Sequence, residues 1–242
     1  LEAFSRDSPS LSMTEIADQT GLNKSTAFRV THTLDVLGYL KRDPDTKRYR
    51  PGLKVLRLGF SALNSLEMVQ VAHPYLKALS SQCGWTTNMT VRDGGDIVYV
   101  ARNKTRQILS LDLHLGSRLP AYCTSMGKVL LSDLGRWELR DLMGAGPYER
   151  RGPDTISDLA ELSAALDQGQ ARGYAINDEE LVAGLRAVAA PVRGHTNEVI
   201  AAINISVPSV RVSLFQLEDE LAPLVVETAR QTSLTLGARN GP

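Results

Sequence analysis

Little in this sequence points to secretion, a membrane or metal chemistry. The chain has two cysteines, Cys83 and Cys123, in 242 residues. Two are too few for a disulfide framework, and their rarity fits a reducing compartment. No apolar run reaches the ~18–20 residues that span a bilayer. The N-terminus carries no signal-peptide pattern. A cytoplasmic protein is expected, and triplets such as Asn23-Lys24-Ser25 and Asn88-Met89-Thr90 then read as chance. The four histidines, His32, His73, His114 and His195, are scattered. None stands at metal-ligand spacing from another histidine or a cysteine, so no metal and no cofactor are expected. A Walker motif is absent. Gly144-Ala145-Gly146 lacks the third glycine and the preceding strand of a dinucleotide fingerprint. Ser125-x-x-Lys128 has the form of the Ser/Lys pair of penicillin-binding enzymes, but the Ser-Asp-Asn and Lys-Thr-Gly elements that accompany it are missing. An enzyme is not expected.

Net charge is also missing: 27 Lys and Arg balance 27 Asp and Glu. The distribution is uneven, however. Residues 1–60 hold ten basic and seven acidic side chains, and residues 23–57 hold nine against three. A basic stripe on one small segment is an electrostatic footprint for a polyanion. The same residues also suit an ordinary solvated helix surface.

The pattern along the chain supplies more. Leu1 to Arg6 reads as the tail of a helix. Ser12-Met13-Thr14-Glu15 has the form of a capping box. The short helix that follows turns Ile16 and Ala17 inward and ends at Gly21. Asn23 caps the next helix. There Ala27, Val30, Leu34 and Leu37 form an apolar stripe at three- and four-residue steps. Lys24, Ser25, Phe28, Arg29, His32 and Thr33 lie on the other face, and Gly38 stops the helix. Tyr39-Leu40-Lys41-Arg42 and Lys47-Arg48-Tyr49-Arg50 are strand-like, with the turn formers Asp43-Pro44-Asp45-Thr46 between them.

These pieces predict a winged helix-turn-helix over 1–52 and a linker helix over 53–67. A second domain then occupies 68–242. In that domain Val69 to Cys83 reads as a helix containing Pro74. Strands are expected at Thr86–Arg92, Ile97–Ala101, Ile108–Leu113, Tyr174–Asn177, Leu185–Val192 and Glu198–Ser206. Helices are expected at Ser125–Leu134, Trp137–Met143, Asp158–Arg172 and Val210–Thr232. Without regular βαβ alternation, the fold class is α+β, with a curved and mainly antiparallel sheet.

In a winged helix-turn-helix the second helix enters the major groove. Lys24, Ser25, Thr26, Arg29 and Thr33 are the candidate readers there. Arg29 can fork onto guanine, and Phe28 can meet a thymine methyl. Lys47, Arg48 and Arg50 on the wing suit phosphates, which fix register without reading sequence. A helical subdomain that docks to protein, in a metabolite-binding interaction module, is the alternative.

The run Ile16-Ala17-x-x-x-Gly21-Leu22-x-Lys24-Ser25-Thr26-x-x-Arg29 is followed by Leu34-x-x-x-Gly38-Tyr39-Leu40 and Tyr49-Arg50-x-Gly52. It resembles the IclR family of regulators. The resemblance continues through Ser125-Met126-Gly127-Lys128-x-x-Leu131, Gly173-Tyr174-Ala175-x-Asn177-Asp178-Glu179-Glu180, Gly184-Leu185-Arg186 and Ala189-Ala190-Pro191-Val192. Asn23 stands where the family often has proline; both open a helix. Leu119 to Gly127 looks most like the regulators of aromatic-acid and β-ketoadipate catabolism, which answer to acids such as protocatechuate and 4-hydroxybenzoate.

From the residues alone, Thr124-Ser125-Met126-Gly127 is either an ordinary capped helix or a helix start that presents N–H groups to an anion. The resemblance favours the second reading. It implies a small organic-acid effector held by Ser125, Met126, Gly127, Asn177, Ala187, Asn204 and Ser206. Some relatives carry Asp, Cys and Ser at the positions of Asn177, Ala187 and Asn204, so their ligands do not transfer. The resemblance also implies a homodimer or a dimer of dimers on a double-stranded DNA operator. Glu179 and Glu180 read as structural hydrogen-bonding groups.

Overall fold

The computed structural model describes residues 1–5, 8–65, 67–105 and 113–238. The chain divides into two compact units, Leu1–Leu66 and Glu67–Pro242. No helix among the described residues is long and apolar enough to cross a membrane.

The first unit begins with one turn, closed by the Phe4 N–H on Leu1 O at 3.1 Å. It is not the expected helix tail. Helix α1 (Met13–Thr20) opens on a complete capping box between Ser12 and Glu15, and Gly21 ends it at φ +66°. Only a residue without a Cβ adopts that left-handed conformation cheaply. Helix α2 (Lys24–Val36) is capped by Asn23, whose side chain accepts from the Thr26 N–H. Strands β1 (Leu40–Arg42) and β2 (Tyr49–Pro51) form the antiparallel wing, and Leu11 bridges to Tyr49. Leu11, Ile16, Leu40 and Tyr49 make the small core. Helix α3 (Lys54–Ser65) follows.

The inward line of α2 differs from the expected one. Ala27 and Thr31 are buried, whereas Val30 and Leu37 are 46% and 48% exposed. Asp35 accepts the Arg42 N–H of the wing at 3.2 Å. Of the expected stripe, Ala27 is buried and Leu34 packs against the small core. Gly52 is required here: a Cβ on it would stand 2.3 Å from the Gly38 carbonyl oxygen.

The second unit is α+β. Helix α4 (Glu67–Cys83) leads into the hairpin β3 (Thr86–Asp93) and β4 (Asp96–Asn103). Then come β5 (Arg118–Pro120), α5 (Ser125–Leu131), α6 (Arg136–Met143) and α7 (Leu159–Arg172). Strands β6 (Ala175–Asp178), β7 (Leu185–Arg193) and β8 (Val199–Pro208) complete a curled sheet of order β5-β4-β3-β8-β7-β6, antiparallel throughout. Of the strand expected at 108–113, residues 108–112 lie outside the described residues, and Leu113 is in a loop. The short strand β5 was not expected, because its three residues end in proline and show no alternation.

The closing helix also departs from expectation. Val210 to Val212 are not helical. Helix α8 (Leu214–Gln216) begins after a capping box at Ser213, a π-turn covers Leu217–Leu221, and α9 (Ala222–Thr235) follows. Pro223 has no N–H to donate to the preceding turn, and the Ala222 N–H bonds to Leu217 O instead.

The two faces of the sheet have different partners. Thr87 Oγ1 donates to Leu76 O of α4, and α9 packs on β7 and on α4. Successive strand residues alternate faces, so Thr86, Asn88 and Thr90 point the other way, to the side where α5 packs on β7 and β8.

Candidate functional site

On the first unit, Lys24, Ser25, Phe28, Arg29, His32 and Thr33 are exposed on α2, with Thr26 half-buried beside them. Phe28 stacks on His32 with ring centroids 6.0 Å apart. Thr33 Oγ1 donates back to Arg29 O at 2.9 Å. Buried Ala27 and Thr31 anchor the opposite side, so the helix offers this row outward.

The wing residues divide. Arg50 is exposed. Lys47 is exposed too, at φ +58°, with its ammonium bonded to Pro44 O. Arg48 is half-buried, and its guanidinium donates to Ser10 O at 2.7 Å and pairs with Glu15 at 2.9 Å. Expected to hold a phosphate, Arg48 in this structure fastens the wing to the start of α1.

In the second unit a narrow pocket, partly open to solvent and with a cavity volume of about 30 Å³, lies between α5 and the inner face of the sheet. Six of the residues singled out from sequence line it: Ser125, Met126, Asn177, Ala187, Asn204 and Ser206. Strand register explains the grouping. Asn204 stands opposite Asn88 and Ala189, while Ser206, Ala187 and Asn177 form the adjacent row. Gly127 does not line the pocket. Its missing side chain answers to the protein itself, since a Cβ there would meet Ala121 O at 2.2 Å.

The polar groups of the pocket are incompletely partnered. Thr124 Oγ1 caps α5 by accepting the Gly127 N–H at 3.0 Å. Asn177 Nδ2 donates to Cys123 O at 2.5 Å. Asn88 Nδ2 reaches Asn204 Oδ1 at 2.7 Å, and Asn204 Nδ2 reaches Ser206 Oγ at 3.1 Å. Ser125 Oγ and Asn177 Oδ1, both buried, have no hydrogen-bond partner among the described residues.

Sequence reasoning missed Tyr99, Arg102, Leu113, Leu181 and Leu185, which together with Thr124 complete the lining. Tyr99 pairs with Thr90 and Arg102 with Asn88, and Val100 is left over as a β-bulge. The bulge puts two residues three apart on one face, which the period-two rule assigns to opposite faces. Burial pulls the Arg102 guanidinium below its ordinary value and pushes the Tyr99 phenol up to about 12. Leu185 was within reach of sequence reading, as it sits in the Gly184-Leu185-Arg186 run.

Lys128 makes no hydrogen bond to Ser125, whose hydroxyl is without a partner among the described residues. The Lys128 ammonium pairs with the buried Glu180 carboxylate at 2.5 Å, so Ser125 and Lys128 form no nucleophile–base couple. Burial raises the Glu180 carboxyl despite that lysine. Glu179 accepts the Gly184 N–H at 2.8 Å, which holds its carboxyl below the usual range. No cluster of metal-ligating side chains occurs among the described residues.

Comparison with known proteins agrees with this layout. The family model of the bacterial transcriptional regulator IclR C-terminal domain matches residues 60–234, and that of the IclR helix-turn-helix domain matches residues 1–44. The Pca regulon regulatory protein of Pseudomonas putida is 36% identical over 95% of this chain and 79% of its own length. The p-hydroxybenzoate hydroxylase transcriptional activator of Acinetobacter baylyi is 36% identical over 96% of this chain and 86% of its own. The crystal structure of an IclR homolog from Microbacterium hydrocarbonoxydans, complexed with 4-hydroxybenzoate, shares the fold. Its TM-score is 0.82 at 24% identity, over 97% of this chain and 95% of that one. With a helix-turn-helix unit and a sensor-type unit both matched, the chain belongs to the IclR family of DNA-binding transcriptional regulators.

Proposed function

We propose that this chain is an effector-controlled regulator of aromatic-compound catabolism, acting in the cytoplasm. Helix α2 reads the operator through Lys24, Ser25, Thr26, Phe28, Arg29 and Thr33, while Lys47 and Arg50 hold phosphates. A small organic acid bound between α5 and the sheet sets the affinity for DNA. The observation that carries the effector reading is the pair of buried, unpartnered atoms Ser125 Oγ and Asn177 Oδ1 in one pocket. A buried polar group without a partner costs ~1–3 kcal/mol, and a ligand supplying that partner removes the cost. The aromatic class is supported by the name of the Acinetobacter relative and by the acid bound in the Microbacterium homolog.

An effector acts only through different affinities for two states of the protein. The reading is therefore tested by mobility shift on the DNA upstream of the regulator's own gene, with and without saturating 4-hydroxybenzoate or protocatechuate. Steeply salt-dependent binding that changes with acid is expected. A symmetric pair of chains should protect two half-sites about one helical turn apart. Salt-insensitive binding, or no effect of any acid, overturns the reading.

A further inference from the structure

The pocket has a polarity that its family resemblance did not announce, and the following rests on the pocket being the effector site. Helix α5 is only seven residues long, so its start offers a weak dipole to an anion. It also faces an unpartnered acceptor. Asn177, which lines the pocket, spends its Nδ2 on Cys123 O, and its buried Oδ1 is left without a donor among the described residues. A carboxylate placed there meets a lone pair; a hydroxyl meets an acceptor.

The cation of the pocket is elsewhere. Arg102 lines it from β4, and its buried Nε–H has no hydrogen-bond partner among the described residues. Asn177 is on β6, four strands away in the sheet order. Four spacings of about 4.8 Å come to roughly 19 Å on a flat sheet. Curl of the sheet and the length of the arginine bring both to one pocket. Between them the walls are largely apolar, with Tyr99, Met126, Leu181 and Leu185.

We propose that Arg102 receives the effector's carboxylate, and that Asn177 Oδ1 with Ser125 Oγ selects acids bearing a hydroxyl at the opposite end of an apolar body. A guanidinium is suited to this, since it stays charged when buried and presents parallel donors to the two oxygens of a carboxylate.

The test is calorimetric titration of the full chain with four probes: 4-hydroxybenzoate, benzoate, methyl 4-hydroxybenzoate and 4-methoxybenzoate. Wild type should prefer 4-hydroxybenzoate to the ester, to benzoate and to the ether by about 10- to 100-fold each, the range of one charge-assisted hydrogen bond. Arg102→Gln should erase the preference for acid over ester and keep that for hydroxyl over methoxy. Arg102→Lys should retain part of the acid preference. Asn177→Leu should do the reverse of Arg102→Gln. Thermal melting without ligand checks that each variant folds. An unchanged acid-to-ester ratio in folded Arg102→Gln overturns the role of Arg102. If Ala187→Leu, which narrows the pocket, abolishes binding at the same time, the pocket reading survives that result. Binding that persists unchanged in Ala187→Leu overturns the pocket reading, and no binding of any probe to wild type overturns the ligand class.

Discussion

Arg48 and Glu15 meet at 2.9 Å, and the same Glu15 carboxylate accepts the Ser12 N–H at 2.7 Å. One side chain thus closes the cap of α1 and anchors the wing behind it. The start of α1 and the placement of the wing are coupled at this pair.

Arg48 and Arg50 should therefore behave differently, although both are wing arginines. Arg50→Ala removes an exposed charge. The logarithm of affinity against the logarithm of salt should flatten by about 0.9 for each phosphate no longer neutralised, with no change in melting temperature. Arg48→Ala should lower both affinity and the melting temperature of the first unit, and Glu15→Gln should share the second effect. Fluorescence anisotropy over a salt series, beside thermal melts, distinguishes them.

Acid should weaken the same unit. The Ser12 backbone N–H holds the Glu15 carboxyl below its ordinary value of 4.5, and the Thr46 N–H does the same for Asp43 relative to 3.8. A depressed carboxyl contributes stability above its unfolded value, and that contribution is lost as pH falls through the folded value. Stability of the unit should decline as pH is lowered from about 4.5, and the decline should be shallower in Glu15→Gln. Circular-dichroism melts at stepped pH measure this; equal slopes in both proteins would sink it.

The Lys128–Glu180 pair is buried on both sides, with side chains 4% and 11% exposed. Removing one partner strands a charge in a low-dielectric site. Lys128→Met should cost ~3–5 kcal/mol, whereas Lys128→Met combined with Glu180→Leu should recover most of that. Urea unfolding of the two variants decides the matter. Similar losses in both would mean that packing, not charge, governs the site.

The two cysteines should differ in reactivity. Cys123 is buried, and burial pushes its thiol up to about 12. Cys83 is half-buried, its thiol raised by burial to a smaller degree. Iodoacetamide at pH 8 should label Cys83 slowly and leave Cys123 untouched in the native protein, while both react in denaturant. Mass spectrometry of the peptides reads the outcome.

Much of the architecture was legible because it rests on local chemistry. Ser12, Gly21, Asn23 and Gly38 are short-range signals whose effects need no distant partner. The inward line of α2 was legible only in part: Ala27 and Leu34 turn inward as read, but Thr31 is buried while Val30 and Leu37 are exposed, because a short helix packs on a small core through a narrow edge. The same distinction holds in the pocket. Asn177, Asn204 and Ser206 were named through resemblance, and register then grouped them. Tyr99 and Arg102 escaped because a bulge breaks the alternation on which strand reading relies. The π-turn before Ala222 escaped for a related reason: one residue of surplus leaves the apolar pattern almost unchanged.

That surplus residue at Val100 has an evolutionary reading. Up to the bulge, odd-numbered residues of β4 face the pocket; beyond it, even-numbered ones do. Deleting Val100 would leave Tyr99 and Arg102 two places apart on a regular strand, still opposite Thr90 and Asn88 and still facing the pocket. A related chain can thus lose this residue without losing the wall: a one-residue gap in an alignment at this point need not mean a changed pocket, because the surplus residue spaces the strand and does not line the site.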